Sequence, residues 1–330
     1  METSRRCLFA AGIGTTLGGP ILAAPHVARA QTGWPSERPI QVIVPFPPGG
    51  GTDVNIRAMT SHFQRHLPGS NFVVINRPGA GAEIGYTAAF QAPPDGYTIG
   101  TIITPSLQTI TIERTPRYTL MDFAYLATIV EDPSGFHVSP NSPIRTVADL
   151  VAAAKANPGA IAVGTAGVGS DDHLLMIGLE RAAGIKLNHI PFAGQAPTVI
   201  ALIGEHIQVA SMNMGESVAL IRENRVRPLA SAGAARFAMT PDVPTFREAG
   251  YPLDTRVVRS LVAPGGTPRE IQRRLEEVIA NTMRDPLWIA EAERLFVPLH
   301  YLNAEQTRDL VLREAEALRD VWQHGPWRDV

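Results

Sequence analysis

The amino-acid sequence predicts an α/β protein whose parallel-rich sheets are divided between two lobes. Three observations lead to this prediction. Strand-like and helix-like segments alternate along most of the 330 residues, glycine-rich loops twice join a strand to a helix, and no internal repeat or long linker interrupts the pattern. A chain of this length, 45% hydrophobic, can fill two cores. We therefore expect strands that cross between the lobes to join them.

The first thirty residues have the pattern of a targeting segment. A basic start with Arg5 and Arg6 precedes an apolar stretch over residues 8–24, and small residues surround Arg29 before Ala30. Several glycines and a proline interrupt the stretch, which is therefore too short to anchor the chain in a membrane. We expect cleavage near Ala30. The double arginine favours twin-arginine export, with an ordinary secretory signal as the alternative.

The composition of the remaining chain excludes several classes of protein. The single cysteine, Cys7, lies in the targeting segment, so the mature chain can form neither a disulfide nor a thiolate metal site, and it has no cysteine nucleophile. Beyond residue 30, 26 basic residues stand against 30 acidic ones. This balance argues against a nucleic-acid-binding protein, which needs a basic face.

Strands and helices are predicted in alternation from the hydrophobic pattern and from the turn residues between segments. Strands are predicted over residues 40–46, 72–76, 97–104, 161–165, 186–190, 207–212 and 227–232. Helices are predicted over residues 53–67, 146–156, 171–183, 196–202 and 216–224, with one more that ends before Pro93. Two amphipathic helices, at residues 268–284 and 304–322, should close the chain on the first sheet.

The crossing strands set the expected boundaries of the lobes. We place the crossings near residues 123–130 and 256–263. After a signal peptide over residues 1–30, the first lobe would then comprise residues 31–126 and 256–330, and the second lobe residues 127–255.

A glycine-rich loop between the strand at residues 161–165 and the following helix indicates a ligand site. Gly167, Gly169 and Ser170 lie where a parallel strand ends and a helix begins, and backbone amides at such a helix start attract anions. Glycine allows a ligand to approach the backbone closely. The alternative is structural, with the glycines forming a tight turn and Ser170 capping the helix.

A second loop of the same design follows the first strand. Gly50, Gly51 and Thr52 precede the helix, and Asp53 is interpreted as its N-cap, with a contact to an amino group on the ligand as the alternative. Two anion-competent loops in two lobes would form a clamp around a small anionic ligand.

Enzyme interpretations are less consistent with the sequence. The glycines after Asn76 depart from the dinucleotide-binding spacing. Ser170 lacks the glycine that a nucleophile elbow needs two residues later, and Asp171 and His173 are too close along one helix for a catalytic triad. Asp171 to His173 match no metal signature, so capping of the helix is the preferred interpretation. We predict no catalytic residue, no metal and no cofactor.

The order and spacing of several short motifs resemble the extracytoplasmic receptors of tripartite tricarboxylate transporters, the Bug family. The motifs are Pro39-Ile40 with Val44 through Asp53, Asn76 through Gly81, Pro94 through Thr98, Gly167 through Ser170 with His173-Leu174, Pro191 through Pro197, Pro241 through Thr245 with Glu248 through Gly250, and Ala263 through Pro268.

This resemblance implies a two-lobed periplasmic binding protein of type II, the Venus-flytrap fold. It further implies a monomeric receptor that binds a small carboxylate, partly through water, and delivers it to a membrane permease. The implied ligand site comprises Phe46, Gly50, Gly51, Thr52, Asp53, Thr104, Gly167, Gly169, Ser170, His173, Phe192, Ala193, Gly194 and Asn213.

Two departures from the family pattern concern the ligand and the hinge. Ala193 stands where a lysine is usual, and residues 256–260 lack the usual tryptophan. An enzyme on the same two-lobed scaffold, or a receptor that presents its ligand to a membrane sensor, is the alternative to transport.

Overall fold

Apolar runs and amphipathic stretches form strands and helices in alternation through residues 33–328, which the computed structural model describes. The strands are β1 (Ile40–Val44), β2 (Phe72–Asn76), β3 (Thr98–Thr104), β4 (Phe123–Val138), β5 (Ala162–Thr165), β6 (Asn188–Pro191), β7 (Val209–Asn213), β8 (Arg227–Ser231), β9 (Arg256–Pro264) and β10 (Leu299–Asn303). The helices are α1 (Gly51–His66), α2 (Glu83–Phe90), α3 (Ser106–Glu113), α4 (Val147–Ala156), α5 (Asp171–Ala183), α6 (Gln195–Ile203), α7 (Met214–Arg222), α8 (Arg269–Arg284), α9 (Pro286–Arg294) and α10 (Ala304–Gln323).

Two groups of parallel strands lie at the two ends of one mixed sheet. The strand order is β2-β1-β3-β9-β4-β7-β5-β6, with β8 and β10 also paired to β4. Strand β1 is parallel to β2 and β3, and β5 is parallel to β6 and β7, whereas β4 and β9 pair antiparallel with their neighbours. We call β1–β3 with α1–α3, α8 and α9 the β1 side, and β5–β7 with α4–α7 the β5 side.

Strand β4 crosses from one side to the other. Residues up to Pro133 pair with β9, and residues from Ser134 pair with β7 and β8. The strand therefore continues eight residues beyond the crossing predicted to end at Val130, through a proline and a glycine that normally end a strand. It persists because each of its two halves has its own hydrogen-bonding partners.

Separate apolar clusters stabilise the two sides. On the β1 side, Ile40, Val42 and Val44 pack against Ile56 and Phe63 of α1. Burying each such side chain contributes roughly 1.5 to 3 kcal/mol. On the β5 side, the cluster is built around Val163, Val209, Leu175, Leu179 and Phe136. The apolar residues that recur at helical spacing in the sequence are thus the ones that the helices bury.

The structure also corrects several predicted elements. Helix α1 begins at Gly51 rather than Asp53, and α3, α9 and β10 were not predicted. Helix α10 does not close on the first sheet alone, because its end leads to Trp327 within the β5-side cluster. The predicted signal peptide, residues 1–30, lies outside the described residues. None of the described helices is both long and apolar enough to cross a bilayer.

Candidate functional site

A small cavity lies between the two sides, where β1, β3, β5 and β7 end. Its volume is about 40 Å³. Residues from six segments of the chain line it: Phe46, Gly50, Gly51, Thr52, Ile103, Ser106, Ala166, Ser170, Asp171, Gly194, Gln195, Asn213, Glu216, Val257 and Arg259. We call this cavity the cleft. Seven of the predicted site residues line it: Phe46, Gly50, Gly51, Thr52, Ser170, Gly194 and Asn213.

The β1 side contributes the start of helix α1 to the cleft. Gly50 is its N-cap, in an extended conformation, and it has no side chain of its own to cap the first turn. The first amides of a 16-residue helix therefore point into the cleft with the positive end of the helix dipole behind them. Thr52 adds a hydroxyl, which accepts a hydrogen bond from Arg259 Nε at 3.1 Å.

Asp53 is not the N-cap that the sequence suggested. It lies inside the first turn of α1, where Oδ2 accepts a hydrogen bond from Gly49 N at 3.0 Å and Oδ1 pairs with Arg57 and Asn76. Burial tends to raise the pKa of Asp53, but the hydrogen bonds from Arg57, Gly49 and Asn76 outweigh it and lower the pKa. Its carboxylate is thus fully engaged in holding the loop before α1.

We call residues 166–170 the β5-side loop. Most of its backbone amides donate hydrogen bonds to other groups of the protein. Gly167 N donates to Thr165 Oγ1 at 3.2 Å, and Gly169 N donates to His173 Nδ1 at 3.1 Å. Ser170 caps α5, because its hydroxyl accepts from His173 N at 3.2 Å. Gly169 is required by geometry: its φ is +72°, and a Cβ would lie 2.6 Å from Thr109 Oγ1. These contacts support the structural interpretation of this loop, in which the glycines form a tight turn and Ser170 caps the helix.

His173 stabilises this loop through the hydrogen bond that it accepts from Gly169 N. Its ring stacks on that of His189 with centroids 3.8 Å apart and an interplanar angle of 8°. Burial, with a smaller contribution from His189, lowers the pKa of His173 to about 3. The neutral imidazole can then accept the hydrogen bond from Gly169. His173 contacts the loop rather than the cleft.

The remaining predicted site residues lie beside the cleft. Thr104 is buried and accepts a hydrogen bond from Gln108 Nε2 at 3.3 Å, while its neighbours line the cavity. Gly167, Phe192 and Ala193 line an adjoining cavity of about 350 Å³, which shares Phe46 with the cleft. We call this adjoining cavity the mouth.

A buried charged group at the centre of the cleft was not predicted. Arg259 of β9, 1% exposed, forms an ion pair with Glu216 and lies 4.0 Å from Asp132 Oδ2. Asp171 lines the same cavity as Arg259 and Glu216, and its Oδ2 accepts hydrogen bonds of 2.7 Å from Ser134 and from Asn213. The one sequence signal was an arginine within an apolar strand, at the segment that departs from the family pattern.

Burial raises the pKa values of the carboxyls in this group, because it disfavours their charged forms. The pKa of Asp132 is raised to about 7 by burial, against the opposing effects of Arg259 and the Gly215 amide. The pKa of Asp172 is raised well above its usual value by burial and by the neighbouring Asp171. Within the described residues, no group of three or more acidic residues, histidines or cysteines has a metal-binding arrangement.

The raised pKa of Asp132 predicts a pH-dependent difference in stability. Between pH 3.8 and about 7 the unfolded chain is ionised at Asp132 while the folded chain keeps its proton, so the native state loses stability as pH rises. Asp132→Asn cannot ionise and should gain roughly 3 to 4 kcal/mol relative to the parent between about pH 4 and about pH 8. Urea denaturation of both proteins at several pH values measures this; a constant difference would contradict it.

The fold and the cleft together define a class of protein, the two-sided α/β solute receptors, whose ligand site lies at the ends of parallel strands. Within this class, residues 56–322 match the model of the tripartite tricarboxylate transporter family receptor. The chain belongs to this family.

Individual relatives support this assignment. Protein BugT of Bordetella pertussis is 34% identical over 71% of this chain and 73% of its own. The structure of R. palustris Rpa4515 with adipate has a TM-score of 0.83 at 27% identity, covering 88% of this chain and 97% of that one. A TctC solute-binding protein from Polaromonas with no ligand has a TM-score of 0.66 at 32% identity, covering 88% and 99%.

Proposed function

We propose that this protein is a periplasmic receptor that captures a small carboxylate in the cleft and delivers it to the membrane permease of a tripartite tricarboxylate transporter. The observation that carries the proposal is the start of α1, whose N-cap is a glycine, beside Arg259 in the cleft. Backbone amides and a guanidinium can both donate hydrogen bonds to a carboxylate, and neither requires the ligand to carry a second functional group.

The family supports the chemical class of the ligand. The matched family is named for tricarboxylate transport, and one relative of similar fold contains adipate, a dicarboxylate. In this protein, the mouth beyond Phe46 would accept the part of the ligand that the α1 amides do not hold. Ala193 at this mouth leaves it without the lysine usual in the family, which favours a ligand whose distal end is not fixed by a charge there.

Binding, export and partners follow from the same proposal. The protein acts as a monomer, it loses residues 1–30 when it is exported, and it has no catalytic activity. Its two lobes comprise residues 31–126 with 256–330 and residues 127–255, and β4 and β9 serve as the hinge. Because the cleft is lined from both sides, ligand contacts can be completed only when the lobes close on it.

A carboxylate library tests the proposal. A ligand that binds only the native state at a hundredfold excess over its dissociation constant adds about 2.7 kcal/mol of stability, so a true ligand should raise the melting temperature clearly. Mono-, di- and tricarboxylates are screened against matched neutral amides. Stabilisation by amides and carboxylates alike, or by no carboxylate, would contradict a carboxylate receptor.

A further inference from the structure

Glu216 reaches across the cleft from the β5 side to the start of α1. It is the third residue of α7, yet its carboxylate forms an ion pair with Arg259 and lies against the amide of Gly51, the first residue of α1. Burial raises the pKa of Glu216, while Arg259 and the Gly51 amide oppose that effect. A Cβ on Gly51 would collide with this carboxylate, so the contact depends on glycine there.

The place that Glu216 occupies has the properties of an anion site. Helix α1 supplies its first-turn amides, of which that of Gly51 already donates to Glu216, and Arg259 supplies a guanidinium. Arg259 Nη1 is buried without a hydrogen-bond partner, and so is the facing Asp132 Oδ2. The arginine therefore retains donor capacity inside the cleft after its contacts to Glu216 and Thr52 are made.

The Glu216 carboxylate already contacts the donors that a ligand carboxylate would use, the Arg259 guanidinium and the Gly51 amide. A carboxylate that binds Arg259 and the α1 amides must therefore take the place of the Glu216 carboxylate. With Glu216 in place, the structure is more similar to the adipate-containing relative, with a TM-score of 0.83, than to the unliganded one, with 0.66.

We propose that Glu216 is a specificity-determining residue, a carboxylate of the protein itself that competes with the ligand for the anion site. The inference rests on the proposed function, because it concerns the same site. An internal group acts at high effective concentration, so a ligand that only replaces its contacts gains nothing. Simple monocarboxylates are thereby rejected, and a ligand must add contacts elsewhere, for example through a distal part that fits the mouth.

Acetate is the probe that tests this competition. Glu216→Ala removes the equivalent of one acetate molecule from the site and leaves Arg259, Thr52 and the α1 amides. Acetate should bind this variant about ten- to hundredfold more tightly than it binds the parent, as expected when charge-assisted hydrogen bonds become available. Isothermal titration measures the affinity, with acetamide as the uncharged control ligand.

Two further variants separate competition from general loosening of the fold. Glu216→Gln keeps the volume of the side chain, so it should adopt the parent fold with lower stability and still exclude acetate sterically. Glu223→Ala removes an exposed glutamate just beyond the same helix and should bind acetate no better than the parent. Small-angle scattering should show Glu216→Ala more open than the parent without acetate and as compact as the parent with it.

The outcomes distinguish this inference from the proposed function. Equal acetate affinity of Glu216→Ala and the parent, or equal gains in Glu216→Ala and Glu223→Ala, would overturn the role of Glu216. Tight acetate binding by Glu216→Ala together with no response of the parent to any carboxylate in the library would support the anion site and its occupation by Glu216, but contradict the proposed transport ligand.

Discussion

Replacing Arg259 by methionine is expected to lower the free energy of unfolding by about 3 to 5 kcal/mol, the usual cost of removing one partner from a buried ion pair. Arg259 is 1% exposed and is the cation between Glu216, Asp132 and Asp171. Without it, these carboxyls must either stay charged in a dry environment or take up protons. Urea denaturation at neutral pH measures the loss.

The matched control lies three residues earlier in the same strand. Arg256 forms ion pairs with Glu131 and Glu314 at 3.2 and 2.9 Å, but all three side chains are partly exposed. Arg256→Met should therefore cost no more than about 1 kcal/mol. The double variant Arg259→Met with Glu216→Gln should recover part of the loss, because it removes one of the stranded carboxylates. Equal costs at both arginines would contradict a buried charged group.

The loops that build the cleft could be predicted because each carries its signal locally. Gly50 and Gly51 follow an apolar strand, and Gly167 to Ser170 follow another, so the sequence itself marks the strand ends where ligands bind. The same local signal could not tell an open anion site from a satisfied turn. That difference depends on Thr165 and His173, which accept the amides of the second loop.

The charged centre could not be predicted because its members are distant in sequence. Arg259 meets Thr52, Asp132 and Glu216 only after β4 and β9 pair and the two sides approach. Charges at these positions, taken singly, match no motif. The departure of residues 256–260 from the family pattern indicated that this segment differs, but not which partners it would find.

The elements missed in the prediction are those whose stability comes from neighbours. Helix α3 carries several β-branched residues, which favour strands, yet it is held by Gln108 Nε2 donating to Val311 O and by Thr109 donating to Gly169 O. Strand β4 continues through Pro133 because a new set of strands takes over its pairing. Tertiary contacts in both cases outweigh local propensity.

Trp327→Ala is expected to cost about 3 to 5 kcal/mol of stability, as large aromatic truncations in a core do. Trp327 is 1% exposed within the β5-side cluster, and its ring lies edge-on to Trp322 with centroids 4.6 Å apart. Its indole donates to Glu113 at the end of α3, on the β1 side. Truncation leaves a cavity in one cluster and removes a contact to the other side.

Because Trp327 connects both sides, its loss should also affect the closure of the cleft. Helix α10 packs through Val311 on a second apolar cluster of the β1 side, which contains Ile102 and Leu107. Near the end of the chain, Arg181 of the β5 side donates to Gly325 O at 2.5 Å. Trp322→Ala, which removes the less buried ring, is the matched control and should cost less. Urea denaturation measures both losses, and small-angle scattering should show Trp327→Ala the more open of the two. If the two tryptophan variants are equally stable and equally compact, the C-terminal segment does not tie the two sides together.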